Sequence, residues 1–163
     1  MGVKEHKHEA PEEVRCAVVT VSDTRDRESD ESGKLIKKML KEEGHGIVSY
    51  SIVKDELSEI KNALCLKDPQ VFILNGGTGI SGRDVTPEAV RDIIDTEIHG
   101  FGELFRRLSY EEIGSAAMLS RALAGANDCQ IVFALPGSKA AVELGMRELI
   151  LPELGHLVYE ANK

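Results

Sequence analysis

Residues 75–90 read NGGTGISGRDVTPEAV, with four glycines between positions 76 and 82. Gly76, Gly77 and Gly79 can adopt φ > 0 and let a ligand come close to the main chain. Successive N–H groups in such a turn form a concavity that attracts anions, and Thr78 and Ser81 add hydroxyl donors. The chemistry that suits this pattern is the holding of a phosphate. No Gly-Lys-Ser/Thr closes the stretch as in a P-loop, and the spacing is not the GxGxxG of a dinucleotide site. The chain's single Gly-Lys pair, Gly33-Lys34, is followed by Leu35. Taken alone, the glycines fit a bare turn as well as a phosphate loop. Asp84 shifts the balance, because a carboxylate repels a nearby phosphate unless a divalent cation lies between them. Mg²⁺ commonly uses one or two carboxylates together with substrate phosphates. Asp55, in Lys54-Asp55-Glu56 after another apolar run, is the candidate for the second acid, although by itself it reads as a solvated turn residue.

These residues need elements to position them. Apolar runs at 16–21, 47–53, 71–75 and 129–135 read as strands, several of them continuous enough to be buried on both faces. Between them lie helical patterns. GKLIKKMLKEEG places Leu35, Ile36, Met39 and Leu40 on one face and stops at Gly44, and a second helix covers about 58–66. Thr86 is the expected N-cap of a third helix, running to Asp95 with Pro87 at its first position. Residues 100–125 read as two helical pieces, FGELFRRLSYEEIG and SAAMLSRALAG. Pro136-Gly137-Ser138 opens a helix to about Leu149, and Pro152 starts the last one. Alternation of strand and helix predicts an α/β fold with a mostly parallel sheet covered on both sides. In such a sheet ligands bind beyond the carboxyl ends of the strands. Three junctions there are polar or glycine-rich: Ser22-Asp23-Thr24, Asn75 to Asp84, and Pro136-Gly137-Ser138.

Composition narrows the partners. Among 163 residues, 20 Lys and Arg face 28 Asp and Glu, a net charge of −8 that argues against a nucleic-acid surface. Aromatic content is 4% with no Trp, which argues against a base-stacking platform of the single-strand-binding type. No stretch approaches the roughly twenty apolar residues of a membrane span, and the polar start MGVKEHKHEAPEEVR is unlike a signal peptide. Cys16, Cys65 and Cys129 are an odd number without metal-type spacing, and Cys16 and Cys129 each open an apolar run. They are expected to be buried free thiols in a reducing cytoplasm. Residues 1–14 read as a flexible arm in which His6 and His8 are solvated, and 15–163 as one domain.

The motifs TVSDT, NGGTG with RDVTPEAV, GFGELFR, AMLSRALAG and LPGS follow one another in this order. With them the chain resembles the MoaB/MogA family of molybdenum cofactor biosynthesis proteins, to which the gephyrin and plant Cnx G domains also belong, over essentially all of its length after the arm. The resemblance implies a three-layer α/β/α sandwich that binds molybdopterin. It implies transfer of AMP from Mg-ATP to the terminal phosphate of molybdopterin, with release of pyrophosphate. The acid required in RDVTPEA corresponds to Asp84, and the second required acid to Asp55, although the Pro that precedes it in relatives is Lys54 here. These two would organise Mg²⁺ and ATP. Ser120 of the LSR motif falls in the pterin pocket of similar proteins. Thr20, Ser22, Asp23, Asn75, Gly76, Gly77, Thr78, Gly79, Glu103, Pro136, Gly137 and Ser138 match further pocket positions. Arg121 is the basic group nearest these motifs, and it serves equally well as the partner of a surface carboxylate. Lys139 after Ser138, and Ala134 before the Pro-Gly pair, depart from relatives and concern the rim of the pterin pocket. Beside the enzyme stands the alternative of a non-catalytic molybdopterin-binding or carrier protein of the same pathway. By resemblance the protein forms a homotrimer or homohexamer and contacts the metal-inserting enzyme of the pathway, which handles molybdenum or tungsten.

Overall fold

The structure, a computed structural model, describes residues 10–163; His6 and His8 lie outside the described residues. Strands β1 (Arg15–Val21), β2 (Gly46–Val53), β3 (Val71–Asn75), β4 (Thr96–Glu97), β5 (Leu123–Asn127) and β6 (Gln130–Leu135) form one sheet in the order β2-β1-β3-β6-β5-β4. Pairings β1–β2, β1–β3 and β3–β6 are parallel, whereas β5 runs antiparallel to both β6 and β4. The helices are α1 (Glu31–Glu42), α2 (Leu57–Ala63), α3 (Thr86–Arg91), α4 (His99–Ile113), α5 (Lys139–Gly145) and α6 (Leu151–Ala161), with a π-turn at Met146–Ile150 joining the last two.

The alternation of side chains along each strand divides the core between the two faces of the sheet. Cys16, Val18, Val71, Ile73, Ile131, Phe133 and Leu135 face α1, α4, α5 and α6 through Ile36, Leu40, Phe101, Phe105, Val142 and Val158. Ala17, Val19, Val21, Phe72, Leu74, Val132 and Ala134 face α2 and α3 through Ile60, Ala89 and Val90. The sheet is therefore the middle layer of three, as the unbroken apolar runs predict. Val14, which composition assigns to the arm, is fully buried in the first cluster, so the packed body begins before residue 15.

The second helical piece expected at 115–125 is instead a 3₁₀ turn, Gly114–Leu119, followed by β5. A short apolar run does not distinguish a helix from a buried strand by periodicity. What decides is the turn after it, where Asp128 (φ 38°) and Cys129 (φ 69°) both take the left-handed conformation and return the chain as a tight hairpin. Cys129 is consequently exposed in the turn rather than buried at the start of a strand, and Cys65 is exposed as well. Cys16 alone is buried, and burial pushes its thiol pKa up to about 12. An aromatic disulfide reagent at pH 8 is thus expected to titrate Cys65 and Cys129 in the native protein and Cys16 only after denaturation. Rapid native reaction of Cys16, read by peptide mass, would contradict this burial. Among the described residues no helix is long and apolar enough to cross a membrane.

Candidate active site

The carboxyl ends of β1, β3 and β6 open on a cleft of about 430 Å³. Its floor is Val21, Ser22 and Gly76 to Gly79, its walls include Asp55, Asp84, Leu119 and Ser120, and Pro136 and Gly137 close one side.

The glycine loop is built against other main-chain atoms. Gly76 (φ +99°) and Gly77 (φ +66°) lie in the left-handed region. A Cβ on Gly76 would strike the Val21 carbonyl, and one on Gly77 would strike the Thr86 hydroxyl and stand 2.5 Å from Asp55 Oδ1. The expected N-cap role of Thr86 is not observed. Val85 occupies the cap position without a side-chain bond, α3 ends at Arg91 rather than Asp95, and Thr86 Oγ1 donates to the Gly76 carbonyl at 2.9 Å. The hydroxyl turns back because the helix starts directly against the loop.

Each carbonyl from Gly76 to Gly79 has a donor. Besides the Thr86 hydroxyl on Gly76, the Thr86 N–H donates to Gly77 (3.1 Å) and the Arg121 N–H to Thr78 (2.9 Å). Arg121 Nε donates to Gly79 (2.8 Å), Nη2 to the Asp84 carbonyl (2.6 Å), and Nη1 pairs with Glu88. Arg121 thus clamps the loop from outside. Among the described residues, the N–H groups of Gly77, Thr78 and Gly79 make no internal hydrogen bond. A segment with satisfied acceptors and open donors is an anion cradle.

The acids stand at its edge. Asp84 Oδ2 accepts from the Ser81 N–H at 2.9 Å and lies 2.8 Å from where a Cβ on Gly79 would be. Asp55 Oδ1 is buried with no hydrogen-bond partner. Burial, and then the Asp23 and Asp84 carboxylates, push the Asp55 carboxyl above its ordinary value, against an opposing pull from Arg83. Asp23 is engaged elsewhere. It takes a bidentate pair from Arg83 (2.8–3.1 Å), which holds its carboxyl below the ordinary value, and it accepts from the Asp55 N–H at 3.2 Å. Among the described residues no three His, Cys, Asp or Glu side chains gather as a complete metal site. Asp55 and Asp84 both line the cleft, and two carboxylates are the number that a Mg²⁺ site completed by substrate phosphates commonly uses. The orphaned Asp55 Oδ1 fits such an ion.

Of the other residues singled out in the sequence, Ser22 and Ser120 line the cleft and also close local turns. Ser22 Oγ accepts from the Thr24 and Arg25 N–H groups (3.2 and 3.1 Å), and Ser120 Oγ from that of Ala122 (3.3 Å). Ser138 is exposed beside the cleft as the N-cap of α5. Thr20 and Asn75 are fully buried one layer below, hydrogen-bonded Asn75 Nδ2 to Thr20 Oγ1 at 2.9 Å. Glu103 is not brought to the cleft. Phe101 and Phe105 turn into the core, so the helical phase leaves Glu103 exposed on the opposite face of α4. Thr24, in the polar junction after β1, lines the cleft as well, while two contributors escaped the sequence reading: Arg25, which lines the cleft, and Asp30, buried beneath it. Both sit in the charged run RDRESDES, which looks like solvated surface. Asp30 did leave a signal, since an Asp just before an amphipathic helix is a good N-cap.

A family model described as "Probable molybdopterin binding domain" matches residues 17–156. The chain belongs to the MoaB/MogA family of molybdenum cofactor biosynthesis proteins. It is 54% identical to Molybdenum cofactor biosynthesis protein B of Bacillus cereus over 168 aligned positions, covering 100% of this chain and 99% of that protein. A crystal structure of a Molybdenum cofactor biosynthesis protein B superposes with a TM-score of 0.90 at 54% identity, covering 94% of this chain and 98% of the other. The tungsten cofactor synthesizing protein MoaB from Pyrococcus furiosus superposes at 0.84 with 39% identity, covering 94% and 100%. The family fold is thus the three-layer arrangement described above, with the glycine loop, Asp55 and Asp84 inside the matched region.

Proposed function

We propose that the protein transfers AMP from Mg-ATP to the terminal phosphate of molybdopterin, giving adenylylated molybdopterin and pyrophosphate. The observation that carries this reading is the orphaned Asp55 carboxylate oxygen, which lines one cleft with Asp84 and three open backbone N–H groups. A cradle for phosphate next to acids suited to a cation is what transfer between two phosphates needs. A pterin phosphate oxygen attacks the α-phosphorus, the bond to the bridging oxygen of the β-phosphate breaks, and pyrophosphate leaves with that electron pair. The nucleophile is already ionised at neutral pH, so no side-chain base is required. The chain contributes alignment through the N–H groups of Gly77, Thr78 and Gly79, while Asp55 and Asp84 would hold the Mg²⁺ that accompanies ATP. When bound, that ion neutralises charge on the phosphates.

Adenylylation of molybdopterin by the purified protein with ATP and Mg²⁺ tests the reading. The parent should form adenylylated pterin and pyrophosphate, and Asp84→Asn should slow the turnover by roughly 100-fold or more. Tight pterin binding without product would sink the enzyme reading in favour of a binding or carrier role. We place the activity in the cytoplasm, in a homotrimer or homohexamer that passes its product to the metal-inserting enzyme. Exposed Leu104, Tyr110, Ile113 and Met118, on or just after α4, support the association of copies.

A further inference from the structure

Of three arginines near the cleft, Arg83 is paired with Asp23 on exposed surface outside the cleft lining, and Arg121 is bonded to the Gly79 and Asp84 carbonyls and to Glu88. Arg25 lines the cleft with its side chain 34% exposed and makes one side-chain hydrogen bond, Nη2 to the Gly137 carbonyl at 3.0 Å. A guanidinium has five N–H donors, so most of those of Arg25 remain open. Its position is fixed from both ends. The Arg25 N–H is held by Ser22 Oγ at 3.1 Å, and Gly137 sits where an added Cβ would be 3.2 Å from Gly76 Cα and 3.8 Å from Arg25 Nη1. The guanidinium therefore lies beside the N–H cradle.

Behind Arg25 is Asp30, whose side chain is 0% exposed. Its carboxylate accepts from the Gly33 N–H (2.9 Å), Thr20 Oγ1 (2.6 Å) and Tyr50 OH (2.6 Å). Those donors come from α1, β1 and β2, and they satisfy the carboxylate without Arg25. Arg25 Nη1 stands 3.9 Å from Asp30 Oδ1, close enough for attraction in a buried setting but too far for a hydrogen bond. Asp30 thus steers the guanidinium while leaving its donors unspent.

We infer that Arg25 is the phosphate-binding cation of the cleft and that Asp30 is its positioning residue, fixed by Thr20, Tyr50 and Gly33. This rests on the reading of the cleft as a site for phosphate-bearing ligands. Two such phosphates are available, the polyphosphate of the nucleotide and the terminal phosphate of the pterin, and Arg25 suits either through charge-assisted hydrogen bonds.

Calorimetric titration of the full chain with Mg-ATP and, separately, with molybdopterin tests the inference. Arg25→Gln should weaken at least one of the two by on the order of 10- to 100-fold, with the melting temperature almost unchanged. The ligand that loses more identifies the phosphate held. Unchanged affinity for both overturns the assignment. Asp30→Asn, or Asp30→Ser if the first folds poorly, should reproduce the loss for the same ligand. The double variant with Arg25→Gln should be no weaker than Arg25→Gln alone. Additive losses, or lower thermal stability with full affinity, would reduce Asp30 to a structural role. Arg25-dependent binding without adenylylation by the parent would defeat the proposed reaction and leave this inference standing. Transfer by the parent with Arg25-independent binding would do the reverse.

Discussion

Asp55→Asn is expected to lower adenylyl transfer by roughly 100-fold or more and, without ligands, to melt at a higher temperature than the parent at pH 7. Both effects have the same origin. Asp55 Oδ1 is buried without a donor, and burial together with Asp23 and Asp84 opposes its ionisation more than Arg83 favours it. The folded protein therefore keeps the Asp55 proton to a higher pH than the unfolded chain does. Stability is lost as pH rises from the ordinary aspartate range through the raised folded-state value, and the loss is complete above it. Asparagine has no charge to lose, so its advantage should grow as the pH rises through the raised folded-state value and should vanish as the pH falls below the ordinary aspartate range. Melting curves across pH on ligand-free protein read this directly. A lower melting temperature for Asp55→Asn at pH 7 would mean that the carboxylate is stabilised in the fold. Mg-ATP should narrow the gap by stabilising the parent preferentially, since a ligand that binds only the folded state adds to its stability.

The second large effect is structural. Gly76→Ala should cost about 3 kcal/mol or more, a fall in melting temperature of roughly 6–12 °C for a chain of this size. Its φ of +99° is one that residues with a Cβ rarely adopt, and the new methyl would press on the Val21 carbonyl, which belongs to a central strand and cannot move aside. Relief by movement of the loop would pull Thr86 from the Gly76 carbonyl and deform the cradle, so phosphate binding should fall with stability. Gly82→Ala is the control in the same loop. That glycine has no positive φ and nothing within 4 Å of an added Cβ, so the change should stay within about 0.5 kcal/mol. Equal losses at both positions would mean that the loop tolerates no side chain at all, for reasons other than close approach at Gly76.

The parallel strands could be read from the sequence because burial on both faces leaves uninterrupted apolar runs, as in Val71-Phe72-Ile73-Leu74. Strand β5 could not, because Leu123 to Asn127 are extended through a hairpin partner rather than a local pattern. The same division holds for the cleft. Glycines, Asp55 and Asp84 announced themselves by following strands, whereas Arg25 and Asp30 sit in a charged stretch whose composition looks like surface. Asp30 is buried only because Thr20, Tyr50 and Gly33, distant or local in sequence, converge on it. Helix phase decided the opposite case, Glu103, where the motif was legible and the direction of the side chain was not.

The loop from Gly76 to Gly79 has every carbonyl occupied by Thr86 or Arg121, and it therefore meets the cleft as a surface of donors without acceptors. Such a surface sorts ligands by lone pairs and not by identity, so the phosphates of a reactant and those of departing pyrophosphate look alike to it. Retention and ejection must then be decided by a different group. On the proposed reaction that task falls to Asp55 and Asp84, whose charges oppose any phosphate that has shed its cation. On that reading the cleft would couple an indiscriminate grip to a sign-dependent release, with the backbone that Arg121 clamps setting the strength of the grip.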